Sequence, residues 1–152
     1  MGDNDLLLTM LDEAYNRRSW HGPNLLGSLR GVTAAQAAWR PRPDAHNIWE
    51  LTLHAAYWKY VVWRRVTGAV RGSFALAGSN FFVRPVEATE AAWKRDLGIL
   101  EAAHRDLRRA VEKLDASAPE KTRHMIRGAA AHDLYHAGQI RLLLRLMPYK
   151  GE

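Results

Sequence analysis

The chain has 152 residues, 47% of them hydrophobic and 25% charged, which is enough for one sizeable core and excludes disorder, collagen-like repeats and coiled-coil rods. It has no cysteine, so disulfides, thiolate zinc sites and a Cys nucleophile are all excluded, and any metal must be held by nitrogen and oxygen. The formal charge is +6, but the bases lie scattered in pairs such as Arg17-Arg18, Arg64-Arg65 and Arg108-Arg109; this predicts a solvated basic surface, not a nucleic-acid module.

In chain order, 3.6-residue periodicity predicts a first helix from Asp3 to about Arg18, with Leu7, Met10, Leu11 and Ala14 on one face. His21-Gly22-Pro23 interrupts it, and Pro23 can start a short helical piece through about Leu29. Thr33 with Gln36 forms a capping box for a further turn, and the prolines at 41 and 43 stop it from extending. Asn47, with Glu50 three residues on, caps a long second helix to about Thr67. A connection over 68–86, rich in helix breakers, leads to a third helix from Val86 or Thr89 to Leu114. Ser117 to Glu120 reads as another capping box, opening a fourth helix that ends before Pro148. Four long amphipathic helices predict an all-α single domain, a four-helix bundle with one long connection. No uncharged apolar run is long enough to span a membrane, and the acidic start, where a signal peptide carries bases, predicts a cytoplasmic protein.

The fourth helix carries the chemistry. His132 and His136, at i and i+4, stand on one face, and the stripe Met125, Ala129, His132, His136, Gln139 or Ile140, Leu143 and Met147 turns that face inward. Two imidazoles so spaced can converge on one ion at about 2.1 Å, although an inward histidine is commonly just a hydrogen-bonded core residue. His54 on the second helix shares a face with Leu51, Trp58 and Val61 and supplies a third nitrogen if the two helices are neighbours. Three nitrogens would leave positions open for water or substrate, as catalytic sites do. Such a donor set suits zinc or nickel first, then iron or copper, while magnesium and calcium prefer oxygen. Glu50, one turn before His54, is a candidate general base or simply a cap partner for Asn47. Tyr57 is a candidate oxyanion donor or a core ring. Trp58 and His21 are candidate pocket residues. Asp133 is a candidate to orient an imidazole, but it is rotated off the ligand face and is expected in a surface ion pair, with His46, His104 and His124 in loops or on the surface.

The segment Asn47-Ile-Trp-Glu-Leu-Thr-Leu-His54, followed by His132-Asp-Leu-Tyr-His136-Ala-Gly-Gln-Ile140, resembles the DinB/YfiT-like superfamily of metal-dependent enzymes, as do Trp20-His21-Gly22-Pro23 and Trp39-Arg40-Pro41. The resemblance implies an up-down-down-up bundle with a long crossover and one divalent metal on ligands that fall on His54, His132 and His136. It also implies a small-molecule substrate and a homodimer. Members include thiol transferases and isomerases that use low-molecular-weight thiols. A coordinated hydroxide would give hydrolysis and a coordinated thiolate would give thiol transfer. A metal-binding bundle that acts through protein partners is the non-catalytic alternative.

Overall fold

In the computed structural model, which describes residues 2–148, the first long helix α1 (Asp3–Tyr15) turns Leu7, Leu11 and Ala14 inward. It ends three residues sooner than periodicity predicts. The Asp12 carbonyl accepts from both Asn16 and Arg17, and the Asn24 side chain takes the Arg17 carbonyl at 2.7 Å, so the chain is bent away from the helix axis. The short α2 (Leu25–Leu29) is capped by Asn24 and starts two residues after Pro23. The Thr33–Gln36 capping box forms as expected at α3 (Ala34–Ala38). The remaining long helices are α4 (Ile48–Thr67), α5 (Glu90–Glu112) and α6 (Glu120–Leu146). Gly68, at φ 73°, closes α4 in a left-handed conformation that costs glycine nothing. The capping box expected at Ser117 is absent. Pro119 occupies the cap position without a side-chain bond, while Ser117 turns back to Asp115.

Contacts between elements fix the direction of each helix. Trp49 meets Asp96 and Lys59 meets His104, so α4 and α5 run parallel, as a long crossover requires. Arg65 meets Met125 near one end of α4 and His54 meets His132 further back, so α6 runs antiparallel to α4. Asp12 meets Arg108 and Asn4 meets Leu114, so α1 opposes α5. The result is up-down-down-up, with α4 packed between α5 and α6. Among the described residues there is no strand longer than one isolated bridge, and no helix is long and apolar enough to cross a membrane.

The core falls into two apolar halves. One gathers Trp49, Leu53, Trp93, Leu100 and Ile140, and the other gathers Leu7, Leu11, Leu107, Val111 and Ile126. Between them lies a polar layer to which each long helix contributes one side chain: Tyr15, Lys59, His104 and Asp133. The crossover over residues 68–89 closes the bundle from one side. Phe74 and Phe82 pack on Tyr57, and Ser73 donates to the Tyr60 hydroxyl. Its far end is clamped at Arg84, whose carbonyl accepts from Arg40 and Asn47 and whose guanidinium donates to Asp96.

Candidate metal centre

Nearly every residue of α4 from Ile48 to Ala56 is buried, because α3, α5, α6 and the crossover all cover it. His54 therefore points inward whatever its neighbours. On α6 the buried positions are Arg123, Ile126, Ala129, Ala130, Asp133, His136, Ala137, Ile140 and Leu143. Ala129, His136, Ile140 and Leu143 are buried as expected, while Ile126 and Asp133 take the buried positions expected for Met125 and His132. His136 lies in the core as expected, and His132 stands at its edge, half-buried. The three imidazoles still meet. His132 Nε2 lies 3.1 Å from His54 Nε2 and 3.0 Å from His136 Nε2.

The other ring nitrogens explain the orientation. His54 Nδ1 is 3.0 Å from the Asn80 carbonyl, which can only accept, so the proton sits on Nδ1 and the Nε2 lone pair faces the cluster. His136 Nδ1 donates in the same way to Gln139 Oε1 at 2.6 Å, one turn further along α6. Asn80 is a non-glycine residue at φ 65°, a conformation that asparagine tolerates better than most, and it aims its carbonyl at His54. Phe81 stacks on His54 at 4.0 Å, and Trp58 meets both His54 and His132 edge-on while donating to Asn80 Oδ1. Burial, the largest influence, lowers His54 to about 4 and His132 to about 3, with the neighbouring imidazoles adding to it. Burial also lowers His136. All three rings are thus neutral near pH 7.

Three neutral rings facing one another cannot satisfy themselves. One Nε2–H can serve one neighbour and leaves the other lone pair without a proton. A cation at about 2.1 Å from each nitrogen would place the nitrogens roughly 3.0–3.4 Å apart, and the two closest separations lie at the lower edge of that range. His54, His132 and His136 can therefore hold a metal ion, and the all-imidazole donor set fits a transition metal.

Glu50 is occupied elsewhere. Arg40 spans both its oxygens, at 2.5 and 2.8 Å, the Arg84 amide donates to Oε1 and His46 Nδ1 to Oε2. Burial raises its pKa, but these bonds prevail and hold it at about 2. A carboxylate so held is a poor proton acceptor. It ties the crossover to the start of α4, and Asn47 caps its backbone amide, not its side chain. Tyr57 packs among Phe74, Phe82 and Trp58, the core role. His21 is exposed and lines a separate groove with Pro23, Ala137 and Arg141. His124 is exposed, as expected, and His46 is exposed but stacked on Phe81 at 3.7 Å.

Two expectations are overturned. Asp133 forms no surface ion pair: it is fully buried, 2.5 Å from Lys59 Nζ. His104 is not at the surface either. It is buried in α5, accepts from Lys59 at 3.2 Å and stacks on Tyr15 at 3.7 Å. The first follows because Asp133, not His132, takes the buried position in that turn of α6, and the second from the length of α5 through the bundle centre. Sequence reading also missed Asn80 and Phe81, which come from the crossover and carry no local signal. Lys59 did carry one, as a lone charge between Tyr57-Trp58 and Tyr60-Val61-Val62.

Fold and site define a helical bundle with a three-histidine group, able to hold a metal ion, facing one side of the α4–α6 pair. Over residues 17–140 the chain matches the DinB superfamily, and it belongs to that family. No curated protein and no solved structure matches it.

Proposed function

We propose that the protein is a metal-dependent enzyme carrying one divalent transition metal, zinc or nickel, on the Nε2 atoms of His54, His132 and His136. The observation that carries this reading is the convergence of three Nε2 lone pairs, two of them fixed by acceptors on the opposite ring nitrogen. When bound, the ion supplies Lewis acidity and lowers the pKa of a coordinated water or thiol, which is the chemistry of a hydrolase or a low-molecular-weight-thiol transferase. The protein's own part is to hold the rings. Asn80 and Gln139 set the tautomers, and Phe81 and Trp58 exclude water from one side. His132, at the core edge, leaves a path for a small-molecule substrate. Glu50, held by Arg40, His46 and the Arg84 amide, would not serve as the proton acceptor of such a site.

The test is metal analysis of protein purified without a histidine tag. About one transition metal per chain is expected, with nearly none in His132→Ala. No stoichiometric metal in the wild type, or equal content in the variant, overturns the reading.

We propose further that two copies pair through the outer face of α6, where Tyr135, Leu142 and Leu146 are 65%, 56% and 54% exposed, with Trp20 fully exposed. Light scattering should give twice the chain mass, reverting to one chain in Leu142→Glu; a monomeric wild type removes the pairing.

A further inference from the structure

A second feature adjoins the three imidazoles. Between α4 and α6 lies a cleft of about 230 Å³ that touches His132 and Trp58 at one end and Arg65 and His124 at the other. Its length follows from helix geometry: His124 and His132 are eight residues apart on α6, about 12 Å at 1.5 Å per residue. The volume lies below the roughly 300–1,000 Å³ of pockets for drug-sized ligands, so an occupant must be small and slender.

The lining is divided by chemistry. Trp58, Val62 and Met125 make the middle apolar, and Gly128 leaves the α6 backbone uncovered there. A Cβ built on Gly128 meets nothing within 4 Å, so the missing side chain is open space and not a packing requirement. The far end is polar and basic. Arg65 is exposed, makes no ion pair among the described residues, and rests one guanidinium nitrogen 3.9 Å from Met125 Sδ. Among the described residues no carboxylate lines the cleft. The nearby Glu120 is bonded to Arg127. Lys59 also lines the cleft, but its ammonium is bonded to Asp133 and lies against His104, so Arg65 is the cation there with spare donors. A single such guanidinium matches the charge and the planar fork of a carboxylate, whereas a phosphate dianion calls for more than one cation.

Resting on the metal-centre reading above, we infer that this cleft binds a slender organic carboxylate, its acid group on Arg65 and its other, reacting end beside His132. Arg65 is then a specificity residue, and Gly128 is small because the ligand's body lies over it.

Calorimetric titration with 4-phenylbutyrate and its uncharged counterpart 4-phenylbutanol tests the inference, on metal-loaded and chelator-treated protein. The acid should bind at least tenfold more tightly than the alcohol. Arg65→Gln should lose about tenfold for the acid and little for the alcohol. Gly128→Leu fills the middle of the cleft and should weaken both probes by tenfold or more. Metal content should be unchanged in both variants. Should Gly128→Leu fail to fold, the exposed Arg65→Gln still decides. Equal binding of acid and alcohol, wild-type affinity in Arg65→Gln, or no binding of the acid at millimolar concentration overturns the inference. If the wild type holds no metal yet shows the expected acid preference, the metal-centre reading fails and the cleft assignment stands.

Discussion

Two polar groups interrupt the apolar interior of this bundle, and they are built on opposite principles. At the edge of the α4–α6 seam, three neutral imidazoles turn their Nε2 atoms toward one another and contain no cation of their own. In the centre, Lys59 brings its own ammonium, which meets Asp133 at 2.5 Å and His104 at 3.2 Å and lies 5.0 Å from the centre of the Tyr15 ring. Lys59 does in the centre what a metal would do at the edge, gathering donor atoms from separate helices around one positive charge. The difference lies in exchangeability. A covalently attached cation locks helices, whereas an exchangeable one leaves positions open to a ligand. The central group is also imperfectly satisfied: Tyr15 Oη, His104 Nε2 and Asp133 Oδ1 are buried without a hydrogen-bond partner. Because Asp133 adjoins His132 and Lys59 adjoins Trp58, the central pair also sets the level at which α4 and α6 bring their histidines together.

The comparison breaks most sharply at Lys59. Lys59→Met leaves Asp133 buried and uncompensated and should cost about 3–5 kcal/mol, read as a lower urea midpoint. The double variant Lys59→Met/Asp133→Leu should recover most of that loss, because a well-packed apolar pair removes both desolvation penalties. If the double variant is no better than the single one, the pair is held by something other than its charge.

At the edge, the corresponding operation is removal of the metal. If the centre binds an ion at 100 times its Kd, chelation should lower unfolding free energy by about 2.7 kcal/mol in the wild type and leave His132→Ala unmoved. Equal chelator responses would mean that the ion sits elsewhere. A milder change is Gln139→Leu, which takes the acceptor from His136 Nδ1. Metal affinity should fall by about 10–100-fold with the ligands intact, by competition against a chromogenic chelator.

The edge group was far more legible in the sequence than the centre, for a physical reason. His132 and His136 announce themselves by i, i+4 spacing, and the ends of α3 and α4 by Thr33, Asn47 and Gly68, all of which act within one or two turns. The register of α6 was harder to read. From Gly128 to Ala131 the side chains are too small to contrast an apolar face with a polar one, so the inward stripe was drawn through His132 when Asp133 holds the core position. One residue is about 100° of rotation. That shift placed Asp133 on the surface and hid its pairing with Lys59, 74 residues away. Asn80 and Phe81 were out of reach for another reason: nothing local to the crossover says that it will fold across His54, 26 residues earlier.

The smallest effect per unit change isolates the central group by pH. Burial, with Lys59 and Arg108 adding like charge, lowers His104 to about 2, against 6.5 for the free side chain. Below pH 6.5 the unfolded chain binds a proton at this position that the folded chain refuses. Stability is therefore full above pH 6.5 and declines as pH falls toward the folded value, by up to about 1.4 kcal/mol per pH unit. Asp133 acts in the opposite sense. Desolvation raises it to about 6 against the lowering by Lys59, so between its free value of 3.8 and about 6 it favours the folded state as acidity increases. Wild-type stability alone would mix the two. The difference between wild type and His104→Gln, followed by urea unfolding from pH 7 to pH 5, removes what Asp133 contributes equally to both. That difference should shrink or reverse as pH falls, because the variant has no imidazole to protonate. A difference independent of pH would mean that His104 takes up a proton in the folded state as readily as in the unfolded one, and that Lys59 is not the cation that organises the centre.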